Sequence, residues 1–538
     1  MAKAKINTVR RDGENTGDPD NEEDRRLLSG NSSDNEDLVV HPSRNGSLST
    51  EPRTPRTPNR VRFDLPPAVD TDLDGNGAPP PYIDSAVSGR RDARPQTFVP
   101  LLTDIEAPSV TLAASPWGSD EDVHEWAESE RLRPKSGLRS AFMNMANSII
   151  GAGIIGQPYA LRQAGMLTGV ILLIGLTITV DWTIRLIVIN SKLSGSNSFQ
   201  GTVEHCFGRS GLIAISVAQW AFAFGGMVAF GIIVGDSIPQ VLAAVFPGLS
   251  DVPVLGLLTN RRAVIVIFIL GISYPLSLYR DIAKLAKAST LALISMVVIL
   301  FTVITQSFAV PTESRGTFSN PLLTINSGIF QAIGVISFAF VCHHNSLLIY
   351  GSLETPTIDR FARVTHYSTS ISMLACVAMA LAGFLTFGSL TQGNVLNNFP
   401  SDNIMVNIAR LCFGLNMLTT LPLEAFVCRE VMFNYWFPDD PFNMNLHIIF
   451  SSALVVSAMT LSLITCDLGA VFELIGATSA CALAYILPPL CYLKLSTRSW
   501  KTGPAIACVV FGCVVMAISL VQAVAKMIRN EGGTTQCQ

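Results

Sequence analysis

The chain is poor in charge. Asp, Glu, Lys and Arg make up 14% of its 538 residues, whereas 49% are hydrophobic. Soluble domains carry about 25% charge, so an ordinary globular protein is excluded. The first 137 residues contain no cysteine, few aromatics and no apolar run long enough for a cleavable signal peptide. The first membrane span is therefore expected to act as the insertion signal. The 11 cysteines show neither metal-ligand spacing nor a disulfide framework. Most of them, Cys342, Cys376, Cys412, Cys428, Cys481, Cys491, Cys508 and Cys513, fall in apolar segments and read as small buried hydrophobes. There is no nucleophile–base constellation, no phosphate loop and no metal cluster. No enzyme, cofactor or metal is expected.

The charge that is present is unevenly divided. Residues 1–137 hold 25 acidic and 17 basic side chains, a net of −8, and the remainder holds 16 and 20, a net of +4. Residues 1–137, rich in Ser, Pro, Asp, Asn and Arg, bury too little apolar area to offset their ordering entropy and are expected to be a disordered cytosolic regulatory tail. Two short patterns in it suggest partners. Glu23 stands four residues before Leu27-Leu28, the acidic dileucine pattern read by adaptor complexes that sort proteins to the vacuole or lysosome. Pro79-Pro80-Pro81-Tyr82 fits the extended ligand of WW domains and points to a ubiquitin ligase. Thr54-Pro55, Thr57-Pro58, Ser115-Pro116 and Ser32-Ser33 are candidate phosphorylation sites.

From Leu138 onward, apolar stretches recur at lengths of about 18–28 residues, enough to cross ~30 Å of hydrocarbon at 1.5 Å per residue. Eleven are expected: 138–163, 166–191, 211–246, 262–279, 286–309, 327–352, 364–388, 403–427, 446–465, 468–493 and 504–526. The fold class is an all-α integral membrane protein, with a transmembrane domain over 138–528 and a short C-terminal tail at 529–538. With the N-terminus in the cytosol, fifteen Lys and Arg fall on the inside and six on the other face. Arg261 and Arg262 oppose this orientation.

One stretch cannot be a plain span. Asn147-Ser148-Ile149-Ile150-Gly151-Ala152-Gly153-Ile154-Ile155-Gly156-Gln157-Pro158 puts three glycines and a proline in the middle of the first apolar segment. Irregular backbone at membrane depth is tolerated only where it is buried in protein or lines a cavity. The sixth segment has a polar interruption at the matching position, Phe338-Ala339-Phe340-Val341-Cys342-His343-His344-Asn345. Each break opens a block of five spans, the pattern of an inverted-repeat transporter with discontinuous first helices.

The first-helix stretch, continued by Tyr159-Ala160, resembles the signature of the amino acid/auxin permease family. That family includes fungal vacuolar amino acid transporters and animal sodium-coupled neutral amino acid transporters. Tyr274-Pro275-Leu276-Ser277-Leu278-Tyr279-Arg280, Ser337 through Ser346, and Leu421-Pro422-Leu423-Glu424 through Arg429-Glu430 agree with it. The resemblance covers about 138–495 and is similar to the fungal members in particular. It implies a leucine-transporter-like five-plus-five repeat that moves amino acids by alternating access.

For an amino acid zwitterion, the broken helix offers amides at Gly153, Ile154, Ile155 and Gly156 beside Gly151, backed by a helix dipole. Carbonyls of Ser337, Phe338 and Phe340 are the expected acceptors for the ammonium. With no acid conspicuous beside the breaks, a neutral substrate is expected. For coupling, the resemblance implies sodium at Asn147 and Thr420, next to Thr419. His343 and His344 are the groups able to titrate between cytosolic and vacuolar pH, and Glu424 is the best acidic candidate. Asp181 and Arg185 are spaced to pair, whereas Asp236, Arg410, Glu424 and Glu473 have no evident sequence partner apart from Arg410 or Arg429 for Glu424. The expected function is proton-linked amino acid transport across a vacuolar or other endomembrane. The alternatives are a sodium-coupled plasma-membrane carrier and an amino acid sensor that signals through the tail.

Overall fold

The computed structural model describes residues 137–279, 289–318, 325–437, 443–497 and 499–529. Glu23, Leu27, Leu28, Pro79, Pro80 and Tyr82, with nearly all of the expected tail, lie outside them. Every regular element among the described residues is helical.

The first apolar segment is α1 (Leu138–Ile150), a 3-10 turn (Ala152–Gly156) and α2 (Gln157–Ala164). Next come α3 (Met166–Ser194), α4 (Phe199–Val245), α5 (Arg261–Phe268), which runs through a π turn into α6 (Tyr274–Leu278), and α7 (Ser289–Ala309). The second block opens with α8 (Ile329–Phe340), a 3-10 turn (His343–Asn345) and α9 (Ser346–Ser352). It continues with α10 (Ile358–Phe387), α11 (Ile404–Trp436), α12 (Met444–Ile464), α13 (Leu468–Ile475), α14 (Leu487–Leu495) and α15 (Thr502–Arg529). Ten of these stretches are long and apolar enough to cross a membrane. The first segment adds an eleventh only as a composite, because α1 and α2, of 13 and 8 residues, are each too short to span alone.

Loop chemistry sets the helix ends. Ser198, Asn260, Thr357, Asn403, Asn443 and Asp467 each accept a backbone amide in the first turn of the helix that follows, as favoured capping residues do. The third span differs from expectation, because α4 begins at Phe199 rather than near 211. Gly208, at φ 62° and ψ −151°, bends it there, so the first turns form a separate segment before the span.

The sixth span is 83% buried over its most apolar window and the third 78%, against 28% for the eleventh. The third and sixth therefore form the centre of the body and the eleventh its rim. Ile178, Phe301, Leu374 and Val521 stay exposed. That is the expected finish for a surface solvated by lipid tails. Small residues let the central helices approach. A Cβ on Gly225 would stand 2.4 Å from Ile475, one on Gly231 2.3 Å from Ser462, and one on Gly476 1.7 Å from the Gly334 carbonyl oxygen.

Pro422 inside α11 lacks the amide that would bond the Leu418 carbonyl. Ser273 Oγ, from the π turn of the fourth span, donates to that carbonyl at 2.8 Å instead. A helix breaker thus becomes a contact between two spans.

Candidate substrate cavity

The two breaks are built alike and touch. After α1 the Gly151 amide still donates to the Asn147 carbonyl at 3.0 Å, and the backbone then leaves the helix at φ 6° and ψ −144°. In the tight turn that follows, the opening amides, those of Ala152 and Gly153, have no carbonyl inside the turn to bond. Pro158 falls in the first turn of α2, where its missing donor costs nothing. In the sixth span α8 ends at Phe340, the Val341 amide closes onto the Ser337 carbonyl at 3.2 Å, and Val341 is extended. Asn345 Nδ2 donates to Ser148 Oγ at 3.3 Å, joining one break to the other.

Beside this junction lies a cavity of about 390 Å³. That is within the range of small-molecule sites. The first span contributes Asn147, Gly151, Ala152 and Gly153, and the sixth Phe338, Ala339, Val341 and His344. The third span adds Phe222, Gly226 and Phe230, and α11 adds Asn416, Thr420 and Glu424. Asn144, Leu348, Ser352 and Val427 extend it toward the side on which α1 begins. The opposite side is closed. Phe338 stacks on Phe472 with ring centroids 4.5 Å apart, and Tyr159 Oη donates to Glu473 Oε1 at 2.9 Å. The tight fit of Gly469 against the Tyr159 ring completes that plug.

Several expected site residues are elsewhere. Ile154 and Ile155 are buried in protein, and a Cβ on Gly156 would meet Phe472 at 2.9 Å, so none of the three lines the cavity. The 3-10 geometry moves the free amides back to Ala152 and Gly153. Ser337 is also displaced: its hydroxyl faces Tyr485 Oη at 3.1 Å and its carbonyl is taken by Val341. Phe340 is fully buried behind the break. The Thr419 hydroxyl donates to the Asn416 carbonyl of its own helix and stays outside the cavity wall. Adjacent histidines diverge. His343 is wholly buried, its Nε2 2.9 Å from Thr183 Oγ1, and His344 lines the cavity 5.4 Å from the Phe222 ring. Asn147, Thr420, His344 and Glu424 are brought together.

Glu424 corrects the expectation that no acid stands beside the breaks. It pairs with neither arginine of its helix. Arg410 donates to Asn407 Oδ1 and to the carbonyls of Leu396 and Phe399 at 2.7–2.8 Å. Arg429 donates to Ser451 Oγ at 2.7 Å and the Ser277 carbonyl at 3.1 Å. The Glu424 Oε2 is buried without a hydrogen-bond partner.

Asp181 and Asp236 are paired. Asp181 pairs with Arg185 at 2.9 Å, as its spacing suggested, and also accepts from Thr369 at 3.2 Å and meets His366 Nδ1 at 2.9 Å. Asp236 takes Arg261 at 3.1 Å and Asn397 at 3.0 Å, so Arg261 is there as a counter-ion. Its conflict with the positive-inside pattern has a local cause. Nine described cysteines are free; seven of them are buried as expected, whereas Cys412 is half-buried and Cys513 exposed, and Cys466, between α12 and α13, is disulfide-bonded.

Phe222, Gly226, Phe230 and Asn416 were missed in the sequence. The Gly225-Gly226 pair among Trp220, Phe222, Phe224 and Phe230 was the available signal, since small residues amid aromatics mark a close approach or a space.

A helical membrane body whose cavity sits at two touching helix breaks is that of a secondary transporter, not an enzyme. The chain belongs to the transmembrane amino acid transporter protein family, whose model matches residues 134–525. It is 44% identical over 417 residues to vacuolar amino acid transporter 2 of Saccharomyces cerevisiae, covering 75% of this chain and 86% of that one. It is 38% identical over 398 residues to the putative sodium-coupled neutral amino acid transporter 11 of Rattus norvegicus, covering 72% and 85%. Among solved structures, a manganese transporter of Eremococcus coleocola aligns with a TM-score of 0.47 at 12% identity over 75% of this chain and 91% of that one.

Proposed function

We propose that this amino acid transporter is proton-linked and works at the vacuolar membrane, holding the α-amino and α-carboxylate groups of its substrate at the two helix breaks. The observation that carries the site is the cavity where Ala152 and Gly153 meet Ala339 and Val341. Ala152 and Gly153 open the outer half-helix and bring amides and the positive dipole end to a carboxylate. The C-terminal end of α8 brings carbonyls to an ammonium. No charged side chain is needed for either. Proton linkage is supported by the titratable groups of the cavity wall, His344 and Glu424, and the vacuolar site by the yeast relative's name.

In this reading the N-terminus is cytosolic and the loop carrying Cys466 faces the lumen. The excess of Lys and Arg on the side of the N-terminus favours that orientation. The chain between the N-terminus and the first span then lies where an adaptor complex would read Glu23, Leu27 and Leu28 and a WW-domain ligase Pro79, Pro80 and Tyr82. The test is amino acid uptake into vesicles of known orientation with pH and sodium gradients imposed separately. Uptake driven by sodium and indifferent to pH overturns the proton linkage.

A further inference from the structure

Among the described residues Glu424 is the one acidic side chain in the cavity wall, and its Oε2 is buried without a hydrogen-bond partner. Trp436, the end of α11, lies twelve residues further on, about 18 Å of helix, so the carboxyl is held within the body of that helix. A bare carboxylate there is costly unless a cation joins it. Among the described residues none supplies it. Arg410 and Arg429 are committed to the carbonyls and side chains described above. The third span presents Phe222, Gly226 and Phe230, the first span Asn144, Asn147 and Ser148, and the sixth His344. Of these only His344 titrates, and on α11 the Cys428 thiol stands one turn beyond Glu424. On α11 itself the cavity neighbours are Asn416 and Thr420, whose hydroxyl already donates to the Asn416 carbonyl at 2.8 Å. Gly226 packs beside the carboxyl, where a Cβ would make only an ordinary contact, 3.7 Å from the Glu424 Cγ. The cavity that Glu424 lines is the route by which a cation reaches it.

We propose that Glu424 is a cation subsite of the substrate cavity, filled by a proton when the amino acid is neutral and by the side-chain ammonium or guanidinium when it is dibasic. The inference rests on the reading that the cavity holds an amino acid by its α-groups at the breaks. A substrate so held directs its side chain into the same enclosure that contains Glu424. The aromatic rings of Phe222, Phe230 and Phe426 in that wall suit a cation as well as an apolar chain. The charge balance differs between the two substrates. A neutral zwitterion leaves the carboxylate to be protonated, so one proton travels with it. A dibasic substrate brings its own positive charge and displaces that proton.

The test uses the full chain in vesicles with L-leucine and L-lysine as probes. In the wild type each is expected to compete with the other, with a pH gradient raising leucine uptake at least tenfold and lysine uptake less than twofold. In E424Q the concentration of lysine needed to inhibit leucine uptake is expected to rise at least tenfold, and leucine uptake no longer responds to the gradient. E424D, which keeps a titratable group, is expected to restore part of both properties and so separates loss of the carboxyl from misfolding. Leucine uptake that a hundredfold excess of lysine leaves untouched overturns the inference and spares the proposed function. So does lysine uptake that follows the pH gradient as leucine does, or a gradient response retained in E424Q. Absence of leucine uptake by the wild type overturns the proposed function and this inference together.

Discussion

Gly153 of the first break lies directly on Ala339 of the sixth span: a Cβ at 153 would stand 2.3 Å from the Ala339 Cβ and 2.4 Å from its Cα. No side chain fits there without backbone movement. The two discontinuous helices are therefore held face to face by a missing methyl group, and the cavity forms beside that contact.

Gly153→Ala is expected to destabilise the protein by about 1–3 kcal/mol, the usual cost of overpacking, and to lower its melting temperature in detergent. Adding Ala339→Gly removes the colliding methyl and should recover part of that loss. A double variant no more stable than Gly153→Ala would mean that the contact is not what sets the requirement for glycine.

Arg410 is fully buried and donates to Asn407 Oδ1 and to the Leu396 and Phe399 carbonyls, fastening the connection before α11. A lysine carries the charge without the planar fork. Arg410→Lys should therefore cost stability, by about 1–3 kcal/mol for carbonyls left unpaired, in a thermal-unfolding assay. Unchanged unfolding would contradict the clamp.

The Asp236–Arg261 pair is largely buried, at 3.1 Å. Removing one member leaves an uncompensated charge, about 3–5 kcal/mol for a buried pair, whereas removing both is far milder. Asp236→Asn is thus expected to lower the yield of folded protein sharply, and Asp236→Asn with Arg261→Gln to restore much of it. Equal losses in the single and double variants would argue against the pairing.

Tyr159 and Glu473 join the outer half of the first span to the tenth span across the closed side of the cavity. Tyr159→Phe removes a bond with a net value of about 1 kcal/mol, enough to raise the open population on that side roughly fivefold. A cysteine introduced at Phe472 should then react faster with a membrane-impermeant thiol reagent added on that side. An unchanged rate would mean that the hydroxyl does not hold the closed form.

Leu27→Ala with Leu28→Ala is expected to move the protein from the vacuole toward the cell surface. Unchanged residence in fluorescence imaging would dispose of the dileucine pattern as a sorting signal.

Much of the fold was legible because hydrocarbon imposes one rule on every span, and residues such as Gly151, Gly153 and Pro158 violate it conspicuously. Partnerships were less legible. Asp181 and Arg185 could be paired from their spacing because a helix sets four-residue neighbours, but Asp236 meets Arg261 and Tyr159 meets Glu473 only through packing of distant spans. The site was half legible for a similar reason. The first break could be located, yet whether an amide is free depends on the tight turn after Gly151, which moves the exposed positions from Ile154–Gly156 back to Ala152 and Gly153. Glu424 could be singled out as a membrane-depth acid, but only packing reveals that Arg410 and Arg429 are occupied elsewhere.

The central claim is that the cavity at the two breaks drives amino acid movement with protons. Its most direct measurement is L-leucine accumulation in oriented vesicles containing the full chain, with a pH gradient imposed in sodium-free medium and a sodium gradient imposed at equal pH. The account predicts accumulation that follows the pH gradient and is insensitive to sodium. Accumulation under the sodium gradient alone, with none under the pH gradient, would contradict it.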